Sequence, residues 1–423
     1  MKAARNPARR SLVKPAAAVG LAAVLLLGPV GCTSPGPPQP PQPTEEAAAV
    51  ASGTPAPITI DEGRLRQTFE GLAEDLLTPG AVMLLRTPER QLEFTYGNRS
   101  RDDSDPVGLQ DHVRIGSITK TWTGTVILQL VEEGRLKLDD PVSKFRDDVP
   151  NGEKITIEQL LNMRSGLYNY SESYELNLAL DETPERVWTP EELVAIALPL
   201  PVYFPPGEGF HYSNTNTVLL GLIAEDLEDK PLEQIIQERI LDPLGMDDSA
   251  FPPSETTALA GPHPQGYMFM DNVLTIASTK LPADLIAAAE AGELEPNDVT
   301  DASSSWCWAA GQGTSTAGDL AVWGKALAEG GVLGEEMQKI RMDSLRPADP
   351  DNPDSAQYGL AIAKFGELYG HTGELPGFNS FMGYDPGNDL TMVVWTNLAP
   401  AADGRDPATS IARALIGEIY GGP

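Results

Sequence analysis

The sequence carries a serine and a lysine at a spacing that suits nucleophilic catalysis. Ser117-Ile118-Thr119-Lys120 places the two residues three positions apart, so a helix would put them on one face. A serine hydroxyl is a poor nucleophile until a neighbouring group takes its proton. A buried lysine can lose its charge through desolvation and then act as that base. The pair is therefore compatible with a nucleophilic serine, although Ser11-Leu12-Val13-Lys14 shows the same pattern and the spacing alone is not specific.

Two later motifs add polar groups of the kind that acyl transfer needs. Tyr212-Ser213-Asn214 offers a phenol that can move a proton and an amide that can donate to an acyl carbonyl. His371-Thr372-Gly373 would line a cleft if it lies on a strand, because Gly373 permits close backbone approach. Each motif also has a purely structural interpretation. The serine motif would be part of a buried helix with Lys120 paired to a carboxylate, the tyrosine motif would be a capped helix start, and the histidine motif would be a tight turn before the next strand.

The order of the three motifs makes the combination far more specific than its parts. It resembles the penicillin-recognising serine hydrolases, a family with S-x-x-K, Y-x-N and K/H-T-G boxes. Within that family it is most similar to the branch of class C β-lactamases, secreted D-alanyl-D-alanine carboxypeptidases and β-lactamase-fold esterases. The resemblance covers about residues 60–423 and extends to the segments around the boxes, namely Leu128–Gly134, Arg164–Tyr168, Phe204–Gly207 and Gln312–Leu320.

The resemblance implies a covalent ester on Ser117 and assigns roles to its neighbours. Lys120 and Tyr212 would exchange the protons, and Asn214 would hold the substrate amide or relay charge. The backbone N–H groups of Ser117 and Glu374 would bind the oxyanion, and no metal or organic cofactor is required. Ionising a tyrosine at pH 7 costs about 4 kcal/mol, so Tyr212 either receives help from Lys120 or stays neutral in a concerted shuttle.

Three positions bear on the substrate that such a site would accept. Carboxypeptidases of this branch carry an arginine on the strand before the H-T-G box, but Leu360–Phe365 contains none, and Lys364 would substitute only as a point charge. Glu374 would repel a carboxylate if its side chain faces the cleft, whereas an outward side chain would leave only its backbone relevant. Trp306 stands where related carboxypeptidases have an aromatic residue in the cleft, with loop packing as the alternative.

These observations rank the functions that the sequence supports. The first is a D-alanyl-D-alanine carboxypeptidase-like enzyme or related D-amino-acid peptidase acting on cell-wall peptides. A β-lactamase-fold esterase and a β-lactamase are the alternatives within the same family. A non-catalytic cell-wall-binding lipoprotein is the alternative from another class, and the retention of polar residues in all three boxes argues against it.

Charge and composition exclude other classes of partner. The 423 residues include 30 lysines and arginines against 61 aspartates and glutamates, a net charge of −31. Nucleic-acid binding needs a basic surface, so that role is disfavoured. With two cysteines and four histidines, and no HExxH pair, the sequence predicts no zinc site. If Cys32 is lipidated or removed, Cys307 is the only remaining cysteine and no internal disulfide is possible. We therefore expect a small-molecule or peptide substrate and no metal.

The first residues have the features of an export signal. Basic residues precede an apolar run, Ala16 to Val30, which is too short for a membrane span of about 20 residues. Cys32 follows small residues, as at a bacterial lipoprotein processing site, although Pro29 departs from that pattern. Residues 33–57 are proline-rich and predict an extended tether. The protein is thus expected to be exported and either lipid-anchored through Cys32 or secreted.

The remaining residues, 58–423, must supply the elements that position the three motifs. Their number predicts two packed subdomains. We expect an α/β (α+β) fold of the β-lactamase/transpeptidase type. In it, terminal helices flank an antiparallel sheet built from about residues 58–116 and 310–423, and residues 117–309 form a mostly helical insertion. Predicted strands are 81–86, 91–96, 358–364, 378–384 and 389–395. Predicted helices are 61–77, 117–133, 214–227, 232–241, 315–328 and 406–420, with another opening at Thr189-Pro190.

Overall fold

A computed structural model describes residues 57–349 and 356–421. The predicted signal, the tether and Cys32 lie outside these residues. Within them the strands are β1 (Gly80–Arg86), β2 (Gln91–Gly97), β3 (Val113–Arg114), β4 (Tyr267–Met268), β5 (Asn297–Asp298), β6 (Thr314–Ser315), β7 (Arg346–Pro347), β8 (Gln357–Tyr358), β9 (Ala363–Phe365), β10 (Leu368–Leu375), β11 (Phe378–Asp385) and β12 (Leu390–Thr396). The helices are α1 (Glu62–Asp75), α2 (Thr119–Glu132), α3 (Ile157–Leu161), α4 (Tyr174–Glu182), α5 (Pro190–Ala197), α6 (Asn214–Glu228), α7 (Leu232–Ile236), α8 (Asp242–Leu244), α9 (Asn272–Ala277), α10 (Ala283–Glu290), α11 (Ala317–Glu329), α12 (Glu335–Asp343) and α13 (Pro407–Tyr420).

The main sheet joins strands from both ends of the described chain. In the described residues it has eight strands in the order β2-β1-β12-β11-β10-β9-β8-β7, and every neighbouring pair is antiparallel. β1 pairs with β12 in the register Ala81↔Thr396, which closes the sheet across more than 300 residues of sequence. The predicted α/β fold with an antiparallel sheet, flanking terminal helices and a helical insertion is confirmed.

Two hydrophobic clusters cover the two faces of this sheet. Alternate residues of β1 belong to different clusters, with Val82 in one and Met83 in the other. The cluster with Met83 includes Phe69 of α1 and Leu415 of α13, so the terminal helices cover that face. The other cluster packs the sheet against α2, α6 and α11. This second face is where the serine and tyrosine motifs meet the sheet.

Local sequence signals explain several element boundaries. Thr189 caps α5, its side chain accepts from Glu192 N–H, and the Glu192 side chain accepts from Thr189 N–H, which completes the capping box that the sequence predicts. The predicted strand 358–364 is wrong in one respect, because it is two short strands, β8 and β9, separated by a turn in which Ala361 has φ 52°. The predicted helix 117–133 opens with a 3₁₀ turn at Gly116–Ile118, and the predicted helix 232–241 continues from α7 into a π-helical turn at Gln237–Leu241.

Candidate active site

Ser117 lies on the 3₁₀ turn before α2, in close contact with strand β10. Gly116 has φ +52°, and a Cβ there would come within 2.5 Å of the Glu374 nitrogen. A Cβ on Gly373 would come within 1.9 Å of the Ile115 carbonyl oxygen, to which Ser380 Oγ donates at 3.1 Å. The two glycines therefore allow the serine turn and the strand to approach more closely than any other residue type would permit.

Lys120 lies next to Ser117 and is buried. Its Nζ lies 2.8 Å from Ser117 Oγ and donates to the Ala310 carbonyl at 2.7 Å. The side chain is 1% exposed, and burial lowers its pKa to about 7, with the nearby Cys307 acting weakly in the opposite direction. Burial raises the pKa of the Cys307 thiol to about 12, so that group stays neutral. None of the ion pairs among the described residues involves Lys120, so the carboxylate-paired alternative does not apply there.

Tyr212 contributes a neutral phenol to the same place. Its ring centroid lies 4.8 Å from Lys120 Nζ. Burial raises the pKa of Tyr212 well above its ordinary value, and hydrogen bonding to Ser117 opposes this only in part. Although that contact is close, the Oη atom has no partner of good hydrogen-bond geometry among the described residues. Of the two alternatives left by the sequence, the neutral shuttle agrees with this environment, because an ionised phenol would be strongly penalised here.

The His371-Thr372-Gly373 motif lies within β10, so the alternative of a tight turn is wrong. His371 Nδ1 is 2.5 Å from the Thr372 carbonyl and must therefore carry the proton, while Nε2 accepts from Tyr358 Oη at 3.1 Å. Burial lowers the pKa of His371 to about 4. The imidazole is thus neutral and held in one tautomer by a side chain that no sequence motif indicated.

These groups open onto a cavity of about 310 Å³. Ser117 and Tyr212 line it together with four consecutive residues of β10, His371 to Glu374. The wall also includes three further aromatic residues, Phe210, Tyr358 and Phe365, and three polar residues, Gln357, Asn379 and Asp406. Its remaining described residues are alanines, at positions 348, 356 and 363.

Two residues predicted to bind substrate are not in the wall of this cavity. Asn214 is the first residue of α6, where its side-chain amide donates to Ser171 Oγ at 3.0 Å and its buried Oδ1 has no partner among the described residues. Trp306 lines a separate small cavity beside Arg114 and Leu375. The neighbouring Trp308 is buried in the core, as the loop-packing alternative anticipated.

The structure also shows where Lys364 and Glu374, the charged residues near the His371-Thr372-Gly373 motif, lie relative to the cavity. Ala363 and Phe365 line the cavity, whereas Lys364 between them lies over the Tyr369 ring, 4.9 Å from its centroid. Lys364 therefore does not replace the missing arginine. Glu374 lines the cavity and is exposed to solvent, and the Asp406 carboxyl group, which also lines the cavity, contributes to raising the pKa of Glu374. Of the two orientations considered for Glu374, the cleft-facing one is observed.

Comparison with known proteins gives the family of this chain. The family model described as beta-lactamase matches residues 65–416. The chain belongs to the beta-lactamase family. The resemblance to penicillin-recognising serine hydrolases is thereby confirmed. Protein Rv1367c of Mycobacterium tuberculosis is 34% identical over 194 residues, which span 41% of this chain and 48% of that protein, about half its length.

Solved structures share the fold of this beta-lactamase family member over most of its length. The D-stereospecific amidohydrolase from Streptomyces sp. superposes with a TM-score of 0.71 at 29% identity, covering 85% of this chain and 98% of that one. The D-amino acid amidase from Ochrobactrum anthropi SV3, solved with D-phenylalanine, gives a TM-score of 0.68 at 25% identity, covering 84% and 98%. The comparisons thus place this chain among serine hydrolases that include amidases.

Two further findings concern the described part of this beta-lactamase family chain. Residues 57–349 and 356–421 contain no group of three or more His, Cys, Asp or Glu side chains arranged to hold a metal ion. Across the same residues no helix has both the length and the apolarity that a membrane span requires.

Proposed function

We propose that this protein is an exported serine hydrolase that cleaves amide bonds of D-amino-acid peptides or amides through a covalent ester on Ser117. The observation that carries the proposal is the 2.8 Å contact between Lys120 Nζ and Ser117 Oγ at the wall of an open cavity. The similarity to a D-stereospecific amidohydrolase and to a D-amino acid amidase supports the choice of substrate.

The geometry supports one sequence of proton movements. Neutral Lys120 takes the proton of Ser117 as its Oγ attacks the carbonyl carbon, and the carbonyl electrons move onto oxygen. The backbone N–H groups of Ser117 and Glu374 stabilise that oxyanion, where loss of one donor in other enzymes costs about 3–4 kcal/mol. Tyr212 gives its proton to the leaving nitrogen and regains one from Lys120. Water then cleaves the ester by the reverse transfers.

The carboxypeptidase form of the hypothesis lacks a partner for the terminal carboxylate. The described residues that line the cavity include no lysine or arginine, and Lys364 faces away from it. An amidase or peptidase that does not depend on a free carboxylate is therefore favoured over the D-alanyl-D-alanine carboxypeptidase that the sequence ranked first. Esterase and β-lactamase activities use the same acyl-enzyme and differ in how fast water reaches it.

Labelling by a fluorescent penicillin tests the acyl-enzyme. We expect mass spectrometry to find the label on the peptide that contains Ser117, and Ser117→Ala and Lys120→Ala to abolish it. Lys364→Ala, which changes a lysine outside the cavity, is the matched control and should label like the wild type. Undiminished labelling of Ser117→Ala would reject the mechanism and favour the non-catalytic, cell-wall-binding alternative.

A comparison of substrates tests the peptidase part of the proposal. D-alanyl-D-alanine peptides, D-amino acid amides and a neutral p-nitrophenyl ester should be incubated with equal amounts of protein. We expect turnover of the D-amino acid amide. Turnover of the ester with no turnover of any amide or peptide would assign the protein to the esterases.

The proposed location rests on the sequence of residues 1–57. Export followed by lipidation of Cys32 would place the hydrolase on the outer face of the membrane at the end of a proline-rich tether. Cell fractionation tests this. We expect wild-type protein in the membrane fraction and Cys32→Ala in the soluble fraction, whereas a Cys32→Ala protein that stays in the membrane fraction would refute the lipid anchor.

A further inference from the structure

Two carboxyl groups lie in the wall of the cavity that contains Ser117. Glu374 is near the C-terminal end of β10, and Asp406 immediately precedes α13. Both residues line the cavity, and the Asp406 carboxyl group is close enough to raise the pKa of Glu374. The backbone of Glu374 also approaches the serine turn, because a Cβ on Gly116 would lie 2.5 Å from its nitrogen. The acidic pair is therefore beside the position that a scissile carbonyl would occupy.

No basic side chain among the described residues neutralises this pair. Arg405 is adjacent in sequence, but its guanidinium binds Asp403 at 2.5 Å and Asp75 at 2.6 Å. Lys364 lies over Tyr369, and Lys120 is engaged with Ser117 and Ala310. The sequence of residues 350–355, between two wall residues, contains aspartates and no basic residue.

The remaining wall of the cavity is largely aromatic, with Phe210, Tyr358 and Phe365 among its residues. Such a wall offers little competing hydration to a charged substrate group. Enclosure and the neighbouring Asp406 carboxyl raise the pKa of Glu374 well above its ordinary value, although the side chain still contacts solvent. Two neighbouring carboxyl groups retain a proton more readily than two separate acids, and the negative charge that the pair carries repels a carboxylate and stabilises a cation placed beside it.

We propose that Glu374 and Asp406 determine specificity by binding a protonated amino group next to the scissile carbonyl and by rejecting substrates that carry a carboxylate there. The inference rests on the proposed acyl-enzyme function and names its substrate class: amides and peptides of D-amino acids with a free amino group. A substrate that carries a carboxylate near the scissile carbonyl would need a cation in the cavity, and the described residues of its wall include two acids and no lysine or arginine.

Three D-alanine p-nitroanilides that differ only at nitrogen test the proposal. One has a free amino group, one is N-acetylated and one is N-succinylated and anionic. The measured quantity is the ratio of kcat/KM between substrates, so a general loss of activity cancels. We expect the free amine to exceed the N-acetyl substrate by about tenfold, with the N-succinyl substrate lowest, because a charge contact at a part-exposed site is worth about one power of ten.

Variants then assign the preference to the pair. Asp406→Asn and, independently, Glu374→Gln should each lower the ratio of free amine to N-acetyl substrate towards one and raise the relative rate of the N-succinyl substrate. Glu367→Gln makes the same charge change on an exposed turn outside the cavity and should keep the wild-type ratio. If one variant does not fold, as judged by its thermal unfolding, the other still tests the assignment.

The outcomes separate this inference from the function on which it rests. Equal kcat/KM values for the three substrates in the wild type, or a preference for the N-succinyl substrate, would overturn the inference and leave the acyl-enzyme intact. The same holds if both variants keep the wild-type ratio. Absence of turnover of every substrate together with absence of penicillin labelling at Ser117 would overturn the proposed function, and the inference would fall with it.

Discussion

The pKa of Lys120 makes a quantitative prediction about acylation. Burial lowers this pKa to about 7, so about half of the lysine is neutral at pH 7. A lysine with an ordinary pKa would be neutral in only about one molecule in 3000 at that pH. If neutral Lys120 takes the proton of Ser117, the acylation rate must follow its neutral fraction. The rate should rise about tenfold per pH unit below pH 7 and level off above it.

The assay is the rate of labelling by a fluorescent penicillin, followed by rapid mixing between pH 5 and 9. The pKa of Glu374 in the same cavity is raised, so the profile is also measured in Glu374→Gln, which should keep the transition that belongs to Lys120. Three other groups around Ser117 should not contribute in this range. The pKa of His371 is about 4, that of Cys307 is about 12, and the pKa of Tyr212 is raised by burial. A single transition with a midpoint near 7 is expected, with a total change of about 100-fold from pH 5 to the plateau.

Two results would refute this reasoning. A rate that does not change between pH 5 and 9, or one that still rises tenfold per unit at pH 9, would show that Lys120 is not the base or is not desolvated. Lys364→Ala should reproduce the wild-type profile, since that lysine faces away from the cavity. Any labelling that remains in Lys120→Ala should lack the transition near pH 7.

Three further predictions concern stability. The pKa of Lys120 is about 7 in the folded state and 10.5 in the unfolded state, so between these pH values the unfolded state binds more protons and wild-type stability rises with pH. In urea titrations the free energy of unfolding of Lys120→Met should therefore exceed that of the wild type by up to about 5 kcal/mol at pH 6, and this difference should be lost by pH 10. Gly373→Ala should destabilise the protein by about 3 kcal/mol or more, because the new Cβ would meet the Ile115 carbonyl oxygen. Gly71→Ala, on the open face of α1, should stabilise the protein by about 0.5–1 kcal/mol, and equal Tm shifts of the two variants would contradict this reasoning. Tyr358→Phe leaves the buried His371 Nε2 without its donor and should cost about 1–3 kcal/mol in the free energy of unfolding, and an unchanged value would show that the hydrogen bond is unimportant.

Local patterns in the chain predicted much of what the structure contains. Thr189 and Glu192 form their capping box because both groups lie within one turn of the same helix. Ser117 and Lys120 meet because three residues of helical backbone bring them onto one face. The strand 358–364 was predicted as continuous because apolar residues run through it, but the chain turns at Ala361 to pass from β8 to β9.

The missed cavity residues have no such local signal. Tyr358, Asn379 and Asp406 stand in no motif, and each reaches the cavity through strand pairing or the packing of α13. Trp306 and Asn214 occupy motif-like positions, yet their backbones direct them to other contacts. Position in a family pattern therefore predicted which segments converge, but not which side chains face the substrate.

The amino-acid sequence by itself indicated the serine hydrolase family, because its three boxes stand in the order typical of that family. Only the tertiary structure decided the protonation states and the charge of the cavity. Lys120 loses its charge because folding removes water from around it, and Glu374 lies near Asp406 because the end of β10 and the start of α13 line the same cavity. Desolvation and distance depend on where distant segments lie in space, and no local pattern of residues encodes them.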